Sequence, residues 1–274
     1  MLLQPPVNPF HGELQDGIAI ARKIHHDLNL QLSVRHIDPN APEKTAATID
    51  GLAGKCEGII LSAPASPEIV AALGRVTATI PVVTVASDID GCGRAAFIGP
   101  DDEHAGRVAG DLMGLFTRPD GGDILMVAGR LDFPGHRARA RGFSDVLAEH
   151  HPHCRVAELV ETNESDAVTE ERVHEALKAR PTIRGIYHIS VGAVGVVRSL
   201  ERLGRAGDVA VITHEATPER RKLLKERRIH AVIDQKPLLE ARLAVRTMAQ
   251  LLGRLDGEPR SIYTDIQIFM AENA

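Results

Sequence analysis

The sequence predicts an α/β fold built as two doubly wound parallel-sheet lobes. Short apolar runs rich in β-branched residues alternate with longer segments of helical periodicity, which is typical of a parallel sheet covered by helices on both faces. The alternation occurs as two sets, one before about Pro100 and one after it. A chain of 274 residues is also near the length at which a single hydrophobic core divides into two.

The predicted strands are short and almost continuously apolar, as strands buried on both faces should be. They are Gly58–Ser62, Val82–Val85, Asp123–Val127, Gly185–Ile189, Val209–Thr213 and Ala231–Asp234, and we expect a last strand within Ser261–Phe269.

The predicted helices have start signals at several positions. Pro67 and Pro218 each follow a hydroxyl residue that can cap a helix, and Asp101 can cap the helix after it. The segments are roughly Glu13–Leu28, Pro42–Leu52, Pro67–Arg75, Glu103–Phe116, Arg137–His150, Thr169–Ala179, Val194–Leu203, Pro218–Arg228 and Leu238–Leu255.

Composition argues against several classes of function. Aromatic residues make up 3% of the chain and the net charge is −5, so neither base stacking nor attraction to phosphate backbones is favoured. The three cysteines form no CxxC pair and are expected to be free thiols, which fits a cytoplasmic location. No apolar run approaches the length of a membrane span, so we expect no membrane partner.

Motifs of catalysis and cofactor binding are lacking. The segment Gly91–Ala96 lacks the third glycine of a dinucleotide-binding loop, and the sequence contains neither a Walker A motif nor a GxSxG elbow. The histidine clusters do not have the spacing of a zinc-protease helix. We therefore expect no enzymatic activity, no cofactor and no metal. The basic run from Arg220 to Arg228 is interpreted as an exposed helix face.

Polar residues at the carboxyl ends of the predicted strands are the candidate binding residues, because ligands of doubly wound sheets bind at those ends. Ser87 and Asp88 follow one strand, and the Asp88 carboxylate could accept two hydroxyl hydrogen bonds or form an Asx-turn. His214-Glu215 and Asp234-Gln235 are polar pairs at the ends of two further strands. Asn8 and Phe10 could contact a ligand, or form a helix cap and staple. One of Arg137, Arg139 and Arg141, at a helix start, could clamp a polar ligand with its planar fork, while the others would form a solvated face with salt bridges. If Arg139 is that residue, we expect its removal to cost little stability.

The chain resembles the effector-binding domain of LacI/GalR-type bacterial transcription regulators, which share their fold with periplasmic sugar-binding proteins. The matching stretches, in this order and spacing, are Asn8–Phe10 with Glu13-Leu14 and Gly17-Ile18, Pro81–Thr84 with Ser87-Asp88, Ile98–Asp102 with Ala105-Gly106, Arg139 with Gly142-Phe143, Ile212–Glu215 with Thr217-Pro218, and Ala231–Gln235.

The resemblance implies a type I periplasmic-binding-protein-like fold with a multi-strand hinge. One lobe would comprise residues 1–100 and 236–263, and the other 101–235 and 264–274. A small sugar-like ligand would bind in the cleft, and the ligand residues implied are Asn8, Phe10, His11, Asp88, Phe133, Arg139, Ser190, Glu215 and Gln235. His11 and Ser190 depart from the aromatic and asparagine residues common at these places. With His11, His136, His188 and His214 near strand or loop ends, an acidic or phosphorylated sugar is the alternative ligand class.

The resemblance implies the function of an effector-sensing domain that closes on its ligand and alters the DNA affinity of the intact regulator. The family's helix-turn-helix would precede residue 1, so this chain would reach DNA only through a domain that it lacks. Members of the family dimerise, and we expect a homodimer. The alternative is a solute-binding protein of a sugar transporter.

Overall fold

The fold is described from a computed structural model that covers residues 1–6, 9–117, 120–190 and 192–274. It contains two six-stranded sheets, which confirms the predicted two-lobed α/β architecture. The chain divides into two compact units. Unit 1 comprises Met1–Pro100, Asp132–Pro134 and Lys236–Asp265, and unit 2 comprises Asp101–Leu131, Gly135–Gln235 and Ile266–Ala274.

The observed division differs from the predicted lobe boundaries at two places. Unit 1 contains Asp132–Pro134, and it also contains Thr264 and Asp265, all of which were predicted for the second lobe. The reason at the second place is strand pairing: Thr264 pairs with Pro100, and its hydroxyl donates to Glu240 Oε1 at 3.2 Å.

Unit 1 is built on a sheet with the strand order β11-β5-β4-β3-β1-β2, in which every pair is parallel. The strands are β1 (Leu2–Leu3), β2 (Arg35–His36), β3 (Ile59–Leu61), β4 (Val82–Val85), β5 (Ala96–Pro100) and β11 (Ile262–Thr264). The helices are α1 (Pro9–Ile24), α2 (Pro42–Asp50), α3 (Pro67–Val76) and α9 (Pro237–Leu251). One apolar cluster joins α1 and α9 to the sheet, and a second joins α2 and α3 to it.

Unit 2 has the corresponding sheet with the order β12-β10-β9-β8-β6-β7. The strands are β6 (Gly122–Ala128), β7 (Cys154–Glu161), β8 (Ile183–His188), β9 (Ala210–His214), β10 (Ala231–Asp234) and β12 (Gln267–Phe269), of which β12 is antiparallel to β10. The helices are α4 (Asp102–Phe116), α5 (Pro134–His150), α6 (Asp166–Ala179), α7 (Ala193–Arg202) and α8 (Pro218–Lys225).

Glycines let α4 and α5 pack backbone to backbone. A Cβ on Gly106 of α4 would overlap the backbone of Arg139, and a Cβ on Gly142 of α5 would overlap the carbonyl of Glu103. This close approach fixes the position of Arg139 relative to the sheet.

Three predicted caps are confirmed. Ser66 accepts a hydrogen bond from Ile69 N, Asp101 accepts one from His104 N, and Thr217 accepts one from Arg220 N. Within the described ranges, no helix has the length and apolarity needed to cross a membrane.

The prediction of one strand within Ser261–Phe269 is wrong. The segment forms two strands, β11 in the sheet of unit 1 and β12 in the sheet of unit 2, because the chain passes from one unit to the other after Asp265. Strand β7 was not predicted, since it lies at the edge of its sheet and its exposed positions carry charged residues such as Arg155 and Glu161.

Candidate functional site

A cluster of buried polar side chains lies at the carboxyl ends of the strands in unit 2. Ser190 follows β8, Glu215 follows β9 and Gln235 follows β10, and their exposed fractions are 4%, 7% and 5%. Arg139 reaches the same place from α5. Because neighbouring parallel strands end at one edge of the sheet, residues that are far apart in sequence meet here.

Arg139 is the centre of this cluster. Its Nε donates to Asp102 Oδ1 at 2.7 Å, its Nη1 to the Ile189 carbonyl at 3.2 Å and its Nη2 to Gln235 Oε1 at 2.9 Å. Glu215 Oε1 lies 3.6 Å from Nη1 and accepts a hydrogen bond from Gln235 Nε2 at 3.0 Å. Arg139 therefore belongs to the folded framework as well as to the candidate site, contrary to the expectation that its removal costs little stability.

The charges in this cluster are balanced, and burial sets their pKa values. Burial acts to lower the pKa of Arg139, but the carboxylates of Asp102 and Glu215 outweigh it and the pKa is raised. Burial raises the pKa of Glu215, although the guanidinium groups of Arg139 and Arg220 oppose this shift. The two buried arginines are thus matched by two buried carboxylates.

Arg220 was predicted to lie on an exposed helix face, and that prediction is wrong for this residue. Only 5% of it is exposed, whereas Lys222 and Lys225 of the same helix are exposed. Arg220 Nη1 donates to the Glu215 carbonyl and Nη2 to the Ser190 carbonyl, both at 3.2 Å. The buried arginine thus joins the segment after β8 to the segment after β9.

Two buried polar atoms of the cluster have no hydrogen-bond partner among the described residues: Glu215 Oε2 and Ser190 Oγ. Arg220 Nη1 approaches Glu215 Oε2 only to 3.9 Å. A buried polar atom without a hydrogen bond is unfavourable, so both atoms are suited to pair with a bound solute. The pair offers one acceptor from Glu215 and one hydroxyl, which can donate or accept, from Ser190.

The histidines near the strand ends do not supply positive charge at neutral pH. Burial lowers the pKa of His188 to about 3, and burial with nearby Arg139 lowers the pKa of His214 well below its usual value. His214 Nε2 is hydrogen bonded to the Tyr187 hydroxyl at 2.7 Å. In unit 1, burial lowers the pKa of His11 to about 4.

Asp88 in unit 1 is occupied by neighbours in its own loop. Its carboxylate accepts hydrogen bonds from the Thr84 hydroxyl and the Ile89 amide, both at 2.9 Å, and forms a two-point ion pair with Arg94. The amide that donates to Asp88 belongs to the next residue, whereas an Asx-turn uses the amide two residues on, so these contacts are not those of the predicted turn. The adjacent Ser87 follows β4 closely, and its buried hydroxyl has no hydrogen-bond partner among the described residues.

The remaining predicted ligand residues lie in or beside unit 1. Phe10 and His11 lie in the first turn of α1, which begins earlier than predicted, and their rings contact edge to face with centroids 5.1 Å apart. Phe133 is buried and groups with unit 1. Asn8 falls outside the described residues, so its predicted role stays a prediction.

Comparison with known proteins gives the family. The model of the periplasmic binding protein domain matches residues 4–258. The chain belongs to the periplasmic binding protein family. This confirms the predicted relationship to periplasmic-binding-protein-like folds, while the regulator function stays a prediction.

Relatives and solved structures in this family are similar over most of the chain. The ribose import binding protein of Salmonella typhimurium is 25% identical over 233 residues, which is 84% of this chain and 76% of that protein. The D-ribose/D-allose-binding protein of Pseudomonas aeruginosa is 24% identical over 161 residues, covering 57% and 49% of the two chains. A solute-binding protein of Burkholderia graminis in complex with D-arabinose aligns with a TM-score of 0.91 at 24% identity, covering 99% and 94%.

Sequence reasoning missed two residues of this periplasmic binding protein that the structure brings into candidate positions, Asp102 and Arg220, and it placed Ser87 beside Asp88 at the strand end but chose Asp88 as the contact. Each gave a usable signal. Asp102 is the first residue of α4, directly after the capping residue Asp101. Arg220 lies in the first turn of α8, which Thr217 caps. Ser87 follows β4 more closely than Asp88 does. Their burial is a property of the tertiary structure.

Proposed function

We propose that this chain is a solute-binding protein for a small, uncharged, polyhydroxylated solute of the sugar class, and that it acts by binding and not by turnover. The observation that carries the proposal is the charge-balanced cluster around Arg139, which presents buried Glu215 Oε2 and Ser190 Oγ as atoms still able to form hydrogen bonds. Relatives named for ribose and allose binding support the same class of solute.

The charge balance favours a neutral solute over an acidic or phosphorylated one. Arg139 already faces two carboxylates, so an anion brought to this cluster would find no unmatched buried cation. His188 and His214, which could have supplied charge, are neutral because burial lowers their pKa values. Hydroxyl groups avoid this difficulty, since a carboxylate oxygen accepts a strong hydrogen bond from a neutral donor.

The test is a matched panel of solutes studied by thermal unfolding and calorimetry. D-Ribose, D-allose and D-arabinose form the neutral set, and D-gluconate and ribose 5-phosphate form the charged set. A solute at about 100 times its Kd adds about 2.7 kcal/mol to the free energy of unfolding, which raises the Tm by several degrees. We expect hits within the neutral set. Binding confined to the charged set would refute the charge argument, and measurable turnover of a bound sugar would refute the binding assignment.

A role in solute import, with a membrane transporter as partner, fits the named relatives better than the regulator interpretation does. The experiment is to express the full-length gene in its host and to assay the osmotic-shock fraction for the protein. Recovery there supports import. Retention in the cytoplasm with binding to DNA supports the regulator, and with it the predicted cytoplasmic location. The predicted homodimer is tested separately by light scattering on the purified chain.

A further inference from the structure

Arg220 makes contacts to two separate strand ends of unit 2. It lies in α8, yet it donates to the carbonyls of Glu215 after β9 and Ser190 after β8. The same Nη1 lies 3.9 Å from Glu215 Oε2, the carboxylate oxygen that has no hydrogen bond among the described residues. Arg220 therefore contacts both residues, Glu215 and Ser190, whose side-chain atoms the proposed function assigns to the solute.

Glu215 needs external support for its backbone. Its φ is +58°, in the left-handed region that residues with a Cβ seldom adopt outside turns. The Glu215 carbonyl accepts hydrogen bonds from Thr217 N at 2.9 Å and from Arg220 Nη1. Strained conformations persist where neighbouring groups hold them in place, and they often occur at ligand sites.

We propose that Arg220 is a positioning residue for solute recognition: its planar fork holds the Glu215 turn and the Ser190 segment so that the Glu215 carboxyl group is directed at a solute hydroxyl. This inference rests on the proposed function and adds a residue that acts through Glu215 without itself being assigned to the solute. An arginine suits the task because a guanidinium group can donate to several acceptors at fixed angles, whereas a lysine offers one point charge.

The electrostatic surroundings of Glu215 come from every element packed against it. Arg139 of α5 and Arg220 of α8 stabilise its negative charge, whereas Asp102 of α4 and Asp234 of β10 oppose it. His214, the preceding residue, and His188 of β8 are neutral because burial lowers their pKa values. Loss of Arg220 would leave Arg139 as the one cation among these groups, and the carboxyl of Glu215 would then protonate at higher pH.

The experiment compares Arg220→Met and Arg220→Lys, with Lys222→Met as the matched control on the exposed face of the same helix. The first readout needs no solute: the pH titration of the Glu215 side-chain carboxyl by carbon NMR, assigned with Glu215→Gln. The second readout is the Kd of D-ribose at pH 7. Thermal unfolding checks that each variant is folded. If Arg220→Met does not fold, the comparison is made with Arg220→Lys alone.

We expect Arg220→Met to move the Glu215 titration upward and to weaken D-ribose binding at least tenfold. Arg220→Lys should keep the titration near that of the unmodified chain but still weaken binding several-fold, because the charge remains and the two-carbonyl contact is lost. In a Glu215→Gln background, Arg220→Met should weaken D-ribose binding several-fold less than it does in the unmodified chain, since the part of the effect that depends on the Glu215 charge is then absent.

The outcomes separate this inference from the proposed function. If D-ribose does not bind to the unmodified chain but the Glu215 titration moves in Arg220→Met, the choice of solute is wrong and the positioning contact stands. If D-ribose binds and neither the titration nor the Kd moves in Arg220→Met, the inference is overturned and the proposed function stands. A change in Kd that persists unaltered in the Glu215→Gln background also overturns it.

Discussion

Replacing Arg139 by Met should destabilise unit 2 strongly, although the residue belongs to the candidate site. The substitution removes three hydrogen bonds and leaves the buried carboxylates of Asp102 and Glu215 without their shared cation. Breaking a buried ion pair by removing one partner costs about 3–5 kcal/mol. That loss is a large share of the free energy of unfolding of an ordinary domain, which is about 5–15 kcal/mol.

Arg141 provides the matched control, because it lies two residues further along α5 and forms an ion pair with Glu103 at the surface, where 62% of its side chain is exposed. Exposed pairs contribute about 0–1 kcal/mol, so Arg141→Met should change stability little. The assay is urea unfolding followed by circular dichroism, with D-ribose affinity measured in parallel. Adding Asp102→Asn to Arg139→Met should recover part of the loss, since it removes one uncompensated charge. Equal stabilities of Arg139→Met and Arg141→Met would refute the assignment of Arg139 to the framework.

Three further predictions concern packing, pH and the candidate residues of unit 1. Gly106→Ala should destabilise the protein by about 1–3 kcal/mol in urea unfolding because the added Cβ overlaps the Arg139 backbone. Gly74→Ala is the control: the space around this residue of α3 is open, so the substitution should stabilise the protein by about 0.5–1 kcal/mol. Similar effects at the two positions would contradict the close α4–α5 contact. Burial lowers the pKa of His188 to about 3, so the neutral ring contributes stability that is present above the unfolded-state pKa of 6.5 and is lost as the pH falls toward 3. Between about pH 6 and pH 4, the unfolding free energy of His188→Gln should therefore fall less steeply with decreasing pH than that of the unmodified chain, by about 1.4 kcal/mol per pH unit. An unchanged slope would argue against a neutral buried ring. Asp88→Asn should lower the free energy of unfolding by about 1 kcal/mol in urea, whereas Ser87→Ala should change it little, because the Asp88 carboxylate is paired with Arg94 and the Ser87 hydroxyl has no hydrogen bond among the described residues; the reverse order would argue against both assignments.

The sequence alone determined the features that depend on local physical chemistry. Continuous β-branched runs located β4 and β10 with the bounds that the structure has, because strands buried on both faces need apolar residues at every position. The caps at Ser66, Asp101 and Thr217 were predictable because a capping side chain bonds an amide only three residues away. Strand ends also pointed to Glu215 and Gln235, which meet in the structure.

Only the tertiary structure decided which of several similar residues lie together. Arg220 and Lys222 belong to the same basic run, and the packing of α8 buries the first and exposes the second. Asp88 and Ser87 are neighbours, and Arg94 at the far end of their loop pairs with the carboxylate, whereas the Ser87 hydroxyl has no hydrogen bond among the described residues. The sequence predicts one strand within Ser261–Phe269, yet the segment forms strands in two different sheets because the chain crosses between the units there. Burial, ion pairing and strand partnership each depend on residues distant along the chain, so periodicity and capping, which are local, could not determine them.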